Sequence, residues 1–202
     1  YSVSSTATTT ANITAKLLTV TYGGVNKVYD GVRTATVTTS DDRVNGDVLS
    51  VVRTAAFSDK NAALGKTVTV TGVSLSGTDA QNYVVATSGT TTADITPRAL
   101  TPTFGGISKI YDGSTTAQVT SADDRLANDV LTVVRTANFD DRHVGTGKTV
   151  TVDGLSLTGA DAGNYALTIN SATVTSRVDQ AASTIWTGGG ATSDWMDARN
   201  WA

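Results

Sequence analysis

Each half of this chain gathers oxygen-bearing side chains into one short stretch. Asp41, Asp42, Asn45 and Asp47 lie within seven residues, and Asp123, Asp124, Asn128 and Asp129 echo them. Calcium takes roughly six to eight oxygen ligands, so these stretches are candidate Ca2+ loops. Their spacing fits no EF-hand or nonapeptide calcium loop, and the copies differ: Ala127 stands in the place of Asn45, and Asn128 aligns with Gly46. A turn held by Asp side chains, or by ion pairs to Arg43 and Arg125, accounts for the same residues without a metal.

Aromatic chemistry is the second possibility. Tyr29 in "KVYDG" and Tyr111 in "KIYDG" could stack on sugar faces, as could Trp186, Trp195 and Trp201 in "STIWTGGGATSDWMDARNWA". Acid–base chemistry has less to work with. His143 is the one histidine and its counterpart is Asn61, so a function shared by both copies cannot use it. No motif singles out a Ser and an Asp to serve it, and the adjacent Asp41–Asp42 and Asp123–Asp124 sit in turns with no apolar pocket to raise one pKa. Lys66 with Asn82, and Lys148 with Asn164, could form an isopeptide bond, but the catalytic Glu such bonds use is missing from a chain whose 18 acidic residues are all Asp. The chain reads as a non-enzyme.

The composition behind these residues is Thr, Val, Ala, Gly and Ser, which suits strands and turns rather than helices. A net charge of −3 with no basic stripe argues against a nucleic-acid partner or an anionic membrane surface. Cysteine is absent, which removes disulfides, thiolate nucleophiles and thiolate zinc sites. No run of eighteen apolar residues occurs, so membrane insertion by a helix is not expected, and the first twenty residues lack a signal-peptide pattern.

What must position the candidates is a repeat. At an offset of 82 residues, Ile13 to Tyr83 aligns without gaps on Ile95 to Tyr165, with about 42 of 71 positions identical. The organisation follows: residues 1–12 as the tail of a preceding repeat, 13–94 as the first repeat, 95–177 as the second, and 178–202 as the Trp- and Gly-rich start of a following module. Inside a repeat the apolar period is two, in "LLTVTYGG", "TATVTT", "VLSVVRTAAF", "KTVTVTGVSLSG" and "YVVATSGTTTADI". The fold class expected is all-β: two tandem small sandwich-like or grasp-like domains of five to seven strands, arranged as an elongated rod. Pro97 in "ADITPRAL" is expected to restrict bending where one domain passes into the next.

Particular positions carry the scaffold reading. Asp30–Gly31 and Asp112–Gly113 are turn pairs, with Tyr29 and Tyr111 packing a ring on the core beside them. The apolar beat slips by one residue at Gly72 and Gly154, which predicts a β-bulge at each. "GTDAQNY" and "GADAGNY" predict one helical turn, capped by its Thr/Asp positions, before a core Tyr. Arg53 and Arg135 share the inward face of their strand, so each is expected to pair with an aspartate; in the first repeat the candidates are Asp42 and Asp79.

The order of "YDG", "GKTVTVTG", "SLSGTDAQNY" and "ITPR" resembles the YDG-type repeat domain of very large bacterial adhesins, the filamentous-haemagglutinin-like exoproteins. That resemblance covers residue 1 to about Arg177. It implies tandem extracellular repeats in a surface-exposed or secreted fibre, many of which are exported by two-partner secretion through an outer-membrane transporter. The expected role is a stalk or spacer supporting attachment and biofilm, whose partners are neighbouring repeats of the same chain. A glycan-, matrix- or host-receptor-binding module is the alternative, and a calcium-rigidified repeat a second one. The second repeat departs from the pattern after Tyr165, and the "WTG…W…NW" layout after it is similar to segments that lead into another module of such passengers.

Overall fold

A computed structural model of the protein describes residues 1, 6–183, 187, 189 and 190. In the first repeat the elements run β1 (Lys16–Leu18), β2 (Val20–Val25), β3 (Lys27–Val28), β4 (Thr36–Asp41), β5 (Ser50–Phe57), β6 (Ala63–Ser76), a 3-10 turn (Ala80–Asn82), β7 (Tyr83–Val85) and β8 (Ser88–Thr96). The second repeats the series: β9 (Arg98–Leu100), β10 (Thr103–Ile107), β11 (Lys109–Ile110), β12 (Gln118–Ala122), β13 (Thr132–Phe139), β14 (Gly145–Thr158), a 3-10 turn (Ala162–Asn164), β15 (Tyr165–Leu167) and β16 (Ala172–Asp179). Apart from these turns the ordered structure is strand, so the protein is all-β with two similar curled-sheet domains in tandem. The compact units are Tyr1–Arg98 with Gly163–Ala166, and Ala99–Ala162 with Leu167–Ala202.

Within the first unit, a four-stranded sheet runs in the order β3-β8-β6-β5, and β2 pairs with β4 in an antiparallel ribbon. Two pairings are parallel: Lys27 and Val28 of β3 lie beside Ile95 and Thr96 of β8, and β1 lies beside β7 with Lys16 opposite Tyr83. Parallel neighbours need a long crossover, and here most of the repeat supplies it. The sequence pattern shows one strand over residues 83–95; the chain instead breaks after Val85, because β7 serves β1 while β8 serves β6. The stretch at residues 17–24 breaks at Thr19 for the same reason.

Strand β6 shows how the pattern is converted into a core. Val68 and Val70 point inward and are fully buried, and the next buried position is Val73. Between them the register with β5 slips, so that Gly72 and Val73 together face Arg53, and Gly72 takes φ of +62°, as does Gly154. Only glycine adopts that conformation without cost, and the slip keeps both halves of a long strand facing one core. These valines pack in the unit that also buries Tyr29, Val37, Phe57, Ala93 and Ile95. A second cluster forms around Leu18, Leu49 and Tyr83. In the second unit Val119, Phe139, Val150, Val152 and Val178 form the matching core.

The turn at Ala80–Asn82 forms, but without the expected cap. Asp79 makes no side-chain bond to it; its carboxylate accepts the backbone N–H of Val48 at 2.8 Å instead, tying the turn to the segment that leads into β5.

Ribbon β2 packs on β8, and a Cβ added at Gly24 would stand 2.2 Å from the Thr92 carbonyl oxygen. At Gly106 it would stand 2.4 Å from Thr175 O. Backbone cannot yield as a flexible side chain can, so Gly24→Ala is expected to destabilise at the upper end of the ~1–3 kcal/mol typical of overpacking. Urea unfolding of the protein measures it; a loss below about 0.5 kcal/mol would show that the ribbon can lift off the sheet.

Candidate functional site

The YDG corners are bonded alike in the two repeats. Lys27 opens the short strand β3, and its ammonium donates to Asp30 Oδ1 at 2.7 Å, to the Val32 carbonyl at 2.7 Å and to the Thr34 carbonyl at 3.0 Å. The same ammonium stands 5.4 Å from the centre of the Phe57 ring. In the second copy Lys109 meets Asp112 Oδ1 at 2.8 Å, Ser114 O at 2.7 Å, Thr116 O at 3.0 Å and the Phe139 ring at 5.7 Å. Asp30 Oδ1 also accepts the N–H of Val32 at 3.1 Å, and Gly31 and Gly113 take φ of 79° and 81°. The pair Asp30–Gly31 therefore turns a corner between different partners rather than a hairpin, since β3 joins β8 and β4 joins β2.

Burial opposes ionisation of Asp30, but the hydrogen bonds from Lys27 and Val32 outweigh it and hold its pKa below the usual value. Asp112 is held lower, at about 2, by the bond from Lys109 and then those from the Ser114 N–H and hydroxyl. Sequence reasoning missed the lysine as the centre of this corner, although "K" precedes "YDG" at the same distance in both copies.

The tyrosines differ between copies. Tyr29 is 0% exposed, so it cannot be the sugar platform that the sequence allowed. Tyr111 is 40% exposed. Trp186, Trp195 and Trp201 lie outside the described residues. A groove of about 310 Å³ is lined by Leu18, Val20, Tyr22, Val85, Gly89 and Thr90, with no ionised side chain in its wall.

The aspartate loops are organised as scaffold. Asp41 forms a two-pronged pair with Arg43, Nε to Oδ1 at 2.7 Å and a terminal nitrogen to Oδ2 at 2.6 Å, and that bond holds its pKa down. Asp123 is held in the same way by Arg125. Asp42 accepts Lys16 and the Thr19 N–H at 2.8 Å, its counterpart Asp124 accepts Thr101 N–H at 2.8 Å, and Asp47 accepts the Tyr83 hydroxyl at 2.5 Å. Tyr83 also receives the Val44 N–H at 2.9 Å, which closes the loop onto the core. Among the described residues no three carboxylate or imidazole groups converge as a metal site would require, so the calcium reading of Asp41, Asp42, Asp47, Asp123, Asp124 and Asp129 finds no supporting geometry. Lys66, read as half of an isopeptide bond, is instead paired with Asp59 at 2.8 Å.

Arg53 and Arg135 point inward as alternation requires, but their partners are carbonyls. Arg53 donates to Val37 O at 2.5 Å and Val51 O at 3.2 Å, and Arg135 to Val119 O at 2.9 Å and Val133 O at 3.2 Å. The expected carboxylates are engaged elsewhere, Asp42 by Lys16 and Asp79 by Val48. Strand β4 has a free edge facing β5, and a guanidinium with five donors fits its unpaired carbonyl as well as it fits an acid.

Compared with known protein families, the chain matches the YDG domain twice, over residues 14–93 and 96–176. It belongs to the YDG domain family. No curated protein and no solved structure matches it.

Replacing Lys109 by Met leaves two carbonyls and a carboxylate of one corner without their donor, which is expected to cost about 1–3 kcal/mol in urea unfolding. A neutral result would move the weight of the corner to its turn residues. Acid should act on the same groups: Asp112 and Asp141 have pKa values of about 2 against the ordinary 3.8. Both are depressed in the folded state, so their contribution is complete above about pH 4 and is lost as pH falls toward 2. Urea midpoints taken across that range should decline, and less steeply in Asp112→Asn; identical slopes would show that Asp112 keeps the same pKa after unfolding.

Proposed function

We propose that the two YDG domains are structural stalk or spacer repeats of a secreted or surface-anchored bacterial adhesin of the filamentous-haemagglutinin-like kind, exported through an outer-membrane transporter and supporting attachment by the rest of the fibre. The observation that carries this reading is how the polar side chains with chemical potential are used. The lysines, arginines and aspartates that recur in both copies are bonded inside their own repeat: Lys27 with Asp30, Arg43 with Asp41, Asp47 with Tyr83, and likewise Lys109 with Asp112 and Arg125 with Asp123. A repeat that spends its charges on its own corners suits extension, since surface pairs so used are not offered to a ligand. On this reading neither repeat is an enzyme, and contact with a target falls to other regions of the fibre.

One observation favours the alternative, a carbohydrate- or receptor-binding module: Tyr111 keeps 40% of its surface open. A glycan and extracellular-matrix panel decides between them, run in calcium and in chelator beside Tyr111→Ala. The spacer reading expects no saturable binding in either buffer. Saturable binding that is lost in Tyr111→Ala would make the second repeat an adhesive head.

A further inference from the structure

The two copies of the YDG corner are built alike and covered differently. In the first, the Tyr29 N–H donates to Thr96 O at 2.9 Å, and Asp59 Oδ1 accepts the Asn61 N–H at 2.7 Å to shape the loop beside it. In the second, the Tyr111 N–H donates to Asp179 O at 2.8 Å, and Asp141 Oδ1 accepts the His143 N–H at 2.7 Å. Lys66 braces the first loop through Asp59, and Lys148 braces the second through Asp140 and Asp141. The backbone of the two corners is thus held in one shape.

In the first unit that shape is a filled socket. Asn164 and Tyr165, from the segment Gly163–Ala166 that belongs to this unit, occupy it. The Ala62 N–H donates to Asn164 Oδ1 at 2.8 Å, Asn164 Nδ2 donates to Asn61 Oδ1 at 3.3 Å, and the Tyr165 ring meets Tyr29 edge-on, centres 5.6 Å apart at 73°. With the Lys60 ammonium 5.9 Å from the centre of its ring as well, Tyr29 has no exposed surface, and Asn164 keeps only 4%. The equivalent surface of the second corner is open: Tyr111 is 40% exposed, Val144 is 52% exposed, and the His143 side chain is 77% exposed. In the equivalent turn of the first repeat Asn82 is exposed where Asn164 is buried, while Tyr83 is held in its own core.

We infer that Tyr111, His143 and Val144 form a docking socket for the Asn-bearing turn of another YDG repeat, filled here by Asn82 of a second copy of this chain. Asn82 would accept the Val144 N–H, as Asn164 accepts that of Ala62, and the turn that carries it would cover the socket's exposed ring. Plug and socket are different surfaces, so the association is heterologous and can continue head to tail from copy to copy. His143 in place of Asn61 makes the second socket a poorer acceptor for the plug amide, and Asn at that position restores the pairing seen in the first.

Sedimentation equilibrium up to about millimolar chain tests this, because lone contacts of this size are weak. The unmodified chain should show an average mass that rises with concentration. Asn82→Ala, which keeps a socket but no plug, and Tyr111→Ala, which keeps a plug but no socket, should each stay at the mass of one chain. Mixed, they should reach the mass of two chains and stop, since each supplies what the other lacks. His143→Asn should shift association to roughly fivefold lower concentration, the worth of one regained hydrogen bond. A single-chain mass for the unmodified protein throughout, self-association of either Ala variant equal to it, or a mixture that stays at one chain would overturn the proposal. Tyr111→Ala also serves the glycan panel, but there the readout is bound ligand rather than chain mass, so failure of one reading is not failure of the other.

Discussion

The ammonium of Lys27 holds together a piece of backbone that no sheet pairing could satisfy. Between β3 and β4 the chain leaves one sheet neighbour for another, and the carbonyls of Val32 and Thr34 turn toward the lysine in that passage. Two carbonyls and a carboxylate that converge on one point need a donor with several protons. Lysine supplies three, and Asp30 supplies the countercharge that makes a half-buried ammonium tolerable. Phe57 under the same ammonium adds an aromatic face and excludes water from one side.

The rest of the domain hangs from this corner through two short pairings. Strand β3 is two residues long, and its sheet neighbour β8 ends the repeat, so fixing Lys27 also fixes where the last strand must lie. Immediately after the corner, Phe57 N–H donates to Arg33 O at 2.7 Å and Ala35 N–H to Ala55 O at 3.0 Å, which carries the chain onto the far edge of the same sheet. Arg53 then bridges β5 to β4 by donating to Val37 O. Corner, ribbon and sheet are therefore one bonded circuit, and the repetition of each bond in the second copy explains why the identical positions include Lys, Tyr, Asp, Gly and Arg together.

Legibility in the sequence followed the range of the physics involved. The strands that alternate over several residues, β5 and β6 above all, were readable because burial on one face imposes a period of two. The bulge was readable because Val70 and Val73 cannot share a face without an extra residue, and Gly72 stood between them. The pairing of β3 with β8 was not, since two residues carry no period and their partner lies far along the chain. Arg53 misled for a related reason: alternation reports which face a side chain takes, and the terminal nitrogens of a guanidinium on an inner face can be bonded by carbonyls that leave no mark on the sequence. Lys27 was hidden in the same way, its three acceptors being one carboxylate and two anonymous backbone groups. Asp47 is the instructive opposite: the sequence marks it as a candidate calcium ligand, and in the structure it holds the hydroxyl of a core tyrosine.

Duplication makes the remaining asymmetry meaningful. Where two copies share residues, bonds and backbone angles, a side chain that is buried in one and open in the other reports on its surroundings rather than on its own fold. Tyr29 and Tyr111 are such a pair, as are Asn164 and Asn82. Both copies keep an aromatic ring at the corner and an Asn–Tyr step after the 3-10 turn, although only one member of each pair is covered among the described residues. The tyrosine of YDG thus has two separable parts: its backbone N–H anchors the corner to the last strand in each copy, while its ring is buried in one copy and open in the other.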